Sequence, residues 1–238
     1  MKKRVFLIFI SIILILTGCS NDLQLTGSDV KVDEMLDTEL EESELNIDVI
    51  EEVAEDTKNI YLNLSEQDIQ KAIEEGKKGL KSILDYLPQN YGLKYISGED
   101  RLVDRVEIMT PYSSIATVSA LKSSKYQEIS KDDIDGLLKE YEYTMLFSVR
   151  MYGTTVDFPK FVHIVLKQDD KAIQPNNIDG VNDFAEISSN WPNFPEYETI
   201  LTPQFSTKEI DFSKDAELII IFANEIEIKY EVDFSKYK

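Results

Sequence analysis

A chain of 238 residues, 42% of them hydrophobic and 29% charged, has enough apolar material for one or two packed domains. Its 45 acids against 25 Lys and Arg give a formal net charge of −20, which excludes nucleic acid as a partner and disfavours an anionic membrane surface for the body of the protein. A single cysteine excludes an internal disulfide and a thiolate metal cluster.

The chain opens with a basic stretch, Lys2, Lys3 and Arg4, followed by Val5 to Leu16, apolar apart from Ser11. About a dozen apolar residues cannot span a bilayer, which takes roughly 20. With small residues at its end, the stretch 1–18 has the build of a secretory signal. Leu16-Thr17-Gly18-Cys19 resembles the lipobox of bacterial lipoproteins. That resemblance implies a diacylglyceryl group on the Cys19 thiol, cleavage between Gly18 and Cys19, and acylation of the freed amine by a palmitate-type chain. A single acyl chain gives marginal membrane binding, whereas two anchor stably. The implied address is the extracytoplasmic face of the cell membrane, and the richness in Ile, Lys and Glu fits a Gram-positive source.

Losing the signal removes three bases and no acid, so the mature charge falls from −20 to −23. Residues 29–56 hold thirteen acids and one base, Lys31. The stretch 19–56 therefore reads as the lipidated cysteine and an acidic tether, whose 37 residues after Cys19 span about 30–35 Å and lengthen by self-repulsion. Leu40, Leu45, Ile47, Val49, Ile50 and Val53 are not placed as in a pure spacer and support the competing reading of a short amphipathic helix near 44–56 that docks on a partner.

From 57 to 140 the pattern is helical with at least one strand. Ser65 stands three residues before Asp68 in a capping-box arrangement, and Ile69, Ala72, Ile73 and Leu80 follow at helical spacing. Residues 101–109 have strand composition. Thr110 then offers an N-cap with Pro111 at the first helical position, and Ser130 with Asp133 repeats the cap.

After Glu140 the apolar period changes to two. Tyr141, Tyr143, Met145, Phe147, Val149 and Met151 alternate, as do Val162, Ile164 and Leu166. Residues 216–223 read as a buried strand joined through 223–225 to Ile226, Ile228, Tyr230, Val232 and Phe234 as a hairpin. With shorter candidates at 171–174 and 197–203, 141–238 holds about six strands in 98 residues. The fold class is α+β: an N-terminal helical region, then an antiparallel β-sandwich for which an immunoglobulin-like arrangement is one candidate. Near copies of one tetrapeptide, at 157–160, 211–214 and 233–236, have no fixed period and read as strand-end punctuation.

Chemistry is poorly advertised. His163 is the only histidine, there is no glycine-rich phosphate loop, and abundant carboxylates make any acid pair uninformative. The expectation is no cofactor, with calcium as the one ion raised by a loop alignment. Residues 175–186 place Asn177, Asp179, Asp183 and Glu186 at ligand positions of a twelve-residue calcium loop, but Pro175 stands at its first position. Trp191, Phe194 and Tyr197 follow, so 175–197 reads as one long aromatic loop that either covers a sheet end or stacks on a ligand.

The expected function is a lipid-anchored, non-enzymatic binding or assembly module with an envelope protein or a glycan as partner. Two other classes stand beside it. A solute-binding lipoprotein of a transporter would show a closed cleft. A cell-envelope hydrolase would show two convergent carboxylates, one with a raised pKa.

Overall fold

A computed structural model describes residues 64–223 and 225–237. The signal 1–18, Cys19, the acidic stretch 20–56 and the helix considered at 44–56 lie outside these residues. Among the described residues no helix is long and apolar enough to cross a membrane.

Helix α1 (Glu66–Lys77) starts where the sequence marks it. Asp68 N donates to Ser65 Oγ at 3.2 Å, and Ser65 N donates back to the Asp68 carboxylate at 3.3 Å. Helix α2 (Leu80–Tyr91) follows Gly79 without a side-chain cap. Helices α3 (Pro111–Ser124) and α4 (Lys131–Glu140) repeat the capping box at Thr110/Ser113 and Ser130/Asp133, with Pro111 in the first turn of α3. Each box satisfies donors that a helix start would otherwise leave unpaired. The one on α3 is buried, so water cannot replace it. Thr110→Ala is therefore expected to cost about 1–2 kcal/mol, read as a lower urea midpoint. The exposed box makes Ser130→Ala the milder change.

Among the described residues ten strands form two antiparallel sheets. The first runs β1 (Lys94–Ser97), β10 (Glu227–Val232), β9 (Ala216–Ile221), β4 (His163–Gln168), β5 (Lys171–Ile173). The second runs β2 (Val103–Met109), β3 (Thr144–Gly153), β8 (Tyr197–Ser206), β6 (Asn177–Asp179), with β7 (Glu186–Ile187) paired to the start of β8. The fold is α+β, with four helices among the described residues and two open sheets. Both sheets draw strands from either side of Glu140, since β1 and β2 precede it.

One buried apolar cluster takes side chains from both sheets. It holds Phe147, Val149 and Met151 of β3, Leu201 and Phe205 of β8, Ile164 and Leu166 of β4, and Leu218, Ile220, Ile228 and Val232 of the β9–β10 hairpin. Phe147 and Phe205 meet edge to face with centroids 5.7 Å apart and no exposure, the arrangement that aromatic quadrupoles favour.

The alternation proposed from Tyr141 onward begins later than expected. Tyr141 closes α4, is buried, and bonds Ser114 Oγ through its hydroxyl at 2.5 Å. Burial pushes that phenol up. Tyr143 is exposed, under the Lys208 ammonium at 4.9 Å. The helix start at Ser130 carries the chain in α-helical phase as far as Glu140, and only from Thr144 does pairing with β8 impose the period of two. Strand β1 was not foreseen, because all four of its residues are exposed and carry no burial pattern. His163 opens β4 with its side chain exposed. In two of the tetrapeptide copies, Asp211 and Asp233 each accept from the Ser two residues on, at 3.0 and 3.1 Å, and Phe212 stacks edge-on against Phe234.

Candidate functional site

The stretch 175–197 is less irregular than its sequence suggests. Asn177–Asp179 pairs with Thr202–Gln204 as β6, and Glu186–Ile187 pairs with Tyr197–Glu198 as β7. Gly180 turns the chain out of β6 at φ 86°, and a Cβ there would sit 2.8 Å from Ile200 O. Between β7 and β8 residues 188–196 form a compact loop. Ser188 N donates to Glu196 O at 2.9 Å, Trp191 N to Ser188 O at 3.2 Å, and Asn193 N to Asn190 O at 2.9 Å. The Ser188 hydroxyl donates to Pro195 O and accepts from Asn190 N at 3.2 Å. The peptide bonds before Pro192 and Pro195 are cis.

These bonds tie the loop to itself, and the large apolar side chains in and beside it are exposed. Phe184 is 68% exposed, Ile187 66%, Trp191 56% and Phe194 41%. Exposing that much apolar surface forgoes roughly 25 cal/mol per Å², and four large apolar side chains kept outward within eleven residues make this stretch a candidate interaction site. Two cations sit over the rings: Lys160 Nζ lies 4.6 Å from the Phe184 centroid, and the Arg101 guanidinium 5.8 Å from that of Phe194.

Of the three aromatics expected to bind, Trp191 and Phe194 share this loop. Tyr197 is half-buried against the apolar cluster, because it is the first residue of β8 and pairs with Ile187. Phe184 and Ile187 were not anticipated. Their neighbours in sequence gave no hint, since Lys160 reaches Phe184 from the β3–β4 connection, which Ala185 N joins by donating to Val156 O at 2.7 Å.

The four residues aligned on a calcium loop are not gathered. Asn177 and Asp179 meet, Nδ2 donating to the carboxylate at 2.6 Å, and Gln204 Nε2 donates to the same carboxylate at 2.6 Å. Asp183 lies in the following turn, and Glu186 stands in β7 opposite Glu198. Strand pairing with β8 draws the two ends of the aligned segment to different points along one strand. Among the described residues no group of three or more His, Cys, Asp or Glu is placed to hold a metal ion.

The second sheet carries a charge network that the sequence hid. On adjacent strands Arg105 faces Arg150, and Glu107 faces Ser148. Arg150 bonds Glu198 at 3.0 Å and lies 3.9 Å from Asp104. Glu107 is only 6% exposed, and its Oε1 makes no hydrogen bond although Arg105 Nε is 3.2 Å away, close enough for an ion pair without hydrogen-bond alignment. Burial pushes the Glu107 carboxyl above its ordinary value of 4.5; Arg105 pulls it down and Asp104 pushes it further up. Burial wins.

The consequence is a slope in stability. The folded chain holds the Glu107 proton more tightly than the unfolded chain, so unfolding free energy falls as pH rises from about the ordinary value through the raised one. Glu107→Gln removes this slope. Between pH 4.5 and 7.5 the variant's urea midpoint should fall less, or rise more, than the parent's; equal slopes in both proteins would refute the assignment.

No family model matches this chain, and no curated protein or solved structure is similar enough to match it.

Proposed function

We propose that this protein is a lipid-anchored extracytoplasmic lipoprotein whose folded part is a non-enzymatic binding or assembly module. Its two sheets are read as the layers of a sandwich, because one buried cluster draws on both. The observation that carries the function is the exposed apolar stretch at the aromatic loop: Phe184, Ile187, Trp191 and Phe194 are all exposed, in or beside a loop tied to itself by backbone bonds. A surface kept apolar and rigid binds at low entropic cost. The anchor rests on Leu16-Thr17-Gly18-Cys19.

The test has two readings. Mass spectrometry of the mature N-terminus should find a diacylglyceryl group on Cys19, and Cys19→Ala should move the protein out of the membrane fraction. A photo-crosslinker placed at Asn193 should trap an envelope partner or glycan, and Trp191→Ala should reduce that yield while leaving the urea midpoint within about 0.5 kcal/mol of the parent. Unchanged yield in the variant would remove the loop from the binding role.

A further inference from the structure

We infer that the aromatic loop recognises a basic polypeptide segment, one that presents Lys or Arg beside apolar side chains. This rests on the reading of the loop as a binding surface and adds the chemistry of what it takes.

Three observations lead there. The first is the behaviour of the rings themselves. Phe184 and Phe194 already carry cations from within the chain, Lys160 at 4.6 Å and Arg101 at 5.8 Å. The surface thus offers π-faces at distances where ammonium and guanidinium groups settle. Trp191 is the strongest acceptor of this kind, yet among the described residues it takes no cation on its ring and is 56% exposed.

The second observation is charge. From Ala172 to Thr207 there is no Lys or Arg, while Asp179, Asp183, Glu186, Glu196 and Glu198 all fall in that stretch. Glu198 is matched by Arg150, and Asp179 by the amides of Asn177 and Gln204. Asp183, Glu186 and Glu196 take no cation among the described residues. Of the two bases that reach these rings, Arg101 is also paired with Glu99 at 2.6 Å, and Lys160 keeps its charge over Phe184, so three unmatched acids stand against one unmatched base. What remains is an apolar surface with unmatched negative charge at its root, complementary to a cationic, partly apolar ligand.

The third is rigidity. Ser188 is buried, and its backbone and hydroxyl tie both ends of the loop together, so Trp191 and Phe194 are held in place before any partner arrives. An anionic bilayer fits this surface poorly, since the acids would face its headgroups.

Trp191 is the only tryptophan, so its emission reports on this surface alone. The experiment uses the full chain in phosphatidylcholine vesicles, titrated with a twelve-residue peptide alternating Lys and Ile. The counter-probes are the Glu–Ile peptide of equal length, an N-acetylglucosamine hexamer, and vesicles made with brominated phosphatidylcholine. The expected result is a saturable change in Trp191 emission with the Lys–Ile peptide only, weakening as salt is raised.

Nonspecific attraction to an acidic protein is separated by variants. Trp191→Ala, read by calorimetry, should weaken binding roughly 3- to 30-fold, and Glu196→Gln should weaken it and flatten its salt dependence. Neutralising Asp132 and Asp135 on α4 should change nothing. Equal binding of the Glu–Ile peptide, or equal loss in the α4 variant, overturns the inference. So does silence of Trp191 toward the Lys–Ile peptide. A response to the hexamer, or quenching by brominated lipid, also overturns it while leaving the loop a binding surface, which the crosslinking yield decides separately.

Discussion

Phe147→Ala is expected to cost about 3–5 kcal/mol, seen as a large fall in urea midpoint at unchanged slope. Phe147 has no exposure, sits mid-strand in β3, and meets Phe205 edge to face at 5.7 Å. Truncation removes the ring from a cluster that both sheets line, and neither sheet can close the gap without shifting its ladder. A domain of this kind has about 5–15 kcal/mol in total, so the variant should sit near the edge of folding. The double change with Phe205→Ala should be less than additive, by about 0.5–1.5 kcal/mol, because the first substitution already destroys the ring pair. Phe194→Ala is the control. It removes the same side chain from an exposed position and should move the midpoint little.

The second large effect has the opposite appearance in sequence. Gly76→Ala lies inside α1, where replacing glycine by alanine ordinarily stabilises a helix by about 0.5–1 kcal/mol. Here a Cβ would lie 2.3 Å from Ala116 O, 2.5 Å from Ser119 Cβ and 2.9 Å from Ala120 N. Two of those are backbone atoms of α3 and cannot turn aside. The helices must separate, which also strains the bond from Ser119 Oγ to Ile73 O at 2.9 Å. Loss of about 1–3 kcal/mol is expected. Gly136→Ala in α4 makes the comparison sharp, since nothing lies within 4 Å of the added methyl. That variant should be slightly more stable than the parent. The same substitution in two helices should thus change the melting temperature in opposite directions; a gain from Gly76→Ala would disprove the close crossing.

The local grammar of the chain was readable because its causes are local. Ser65 and Ser130 cap helices in the structure as their three-residue spacing to Asp68 and Asp133 implied, and Thr110 does so as its place before Pro111 implied, since caps and first-turn prolines act within a few residues. The alternating runs at 145–151, 162–166 and 226–234 bury the residues they should, because one face of each strand meets the apolar cluster. Gly76 shows the limit of the same reading. In sequence it only weakened a helix; in the fold it is the point where α1 and α3 touch.

The candidate site was legible in part. Trp191 and Phe194 could be named because prolines between aromatics in a polar stretch stand out. Tyr197 could not be separated from them, since strand pairing alone decides that it turns toward the core. Lys160 reaches Phe184 and Arg101 reaches Phe194 only through the tertiary fold, since the partners stand 24 and 93 positions apart in the chain. Glu107 was invisible for a related reason. In sequence it is one acid among 45; what singles it out is the cover above β2.

By itself, then, the sequence determined the charge, the helix starts, the strand faces and the resemblance of its first 19 residues to a lipoprotein signal, all of which depend on residues within a few positions of one another. The tertiary structure decided the strand order, the edge strand β1, the dispersal of the four aligned calcium-loop residues and the exposed aromatic surface. Those depend on contacts between residues tens to more than a hundred positions apart, such as Lys94 with Glu231. No local period encodes such contacts, because their free energy arises only when the whole apolar cluster closes at once.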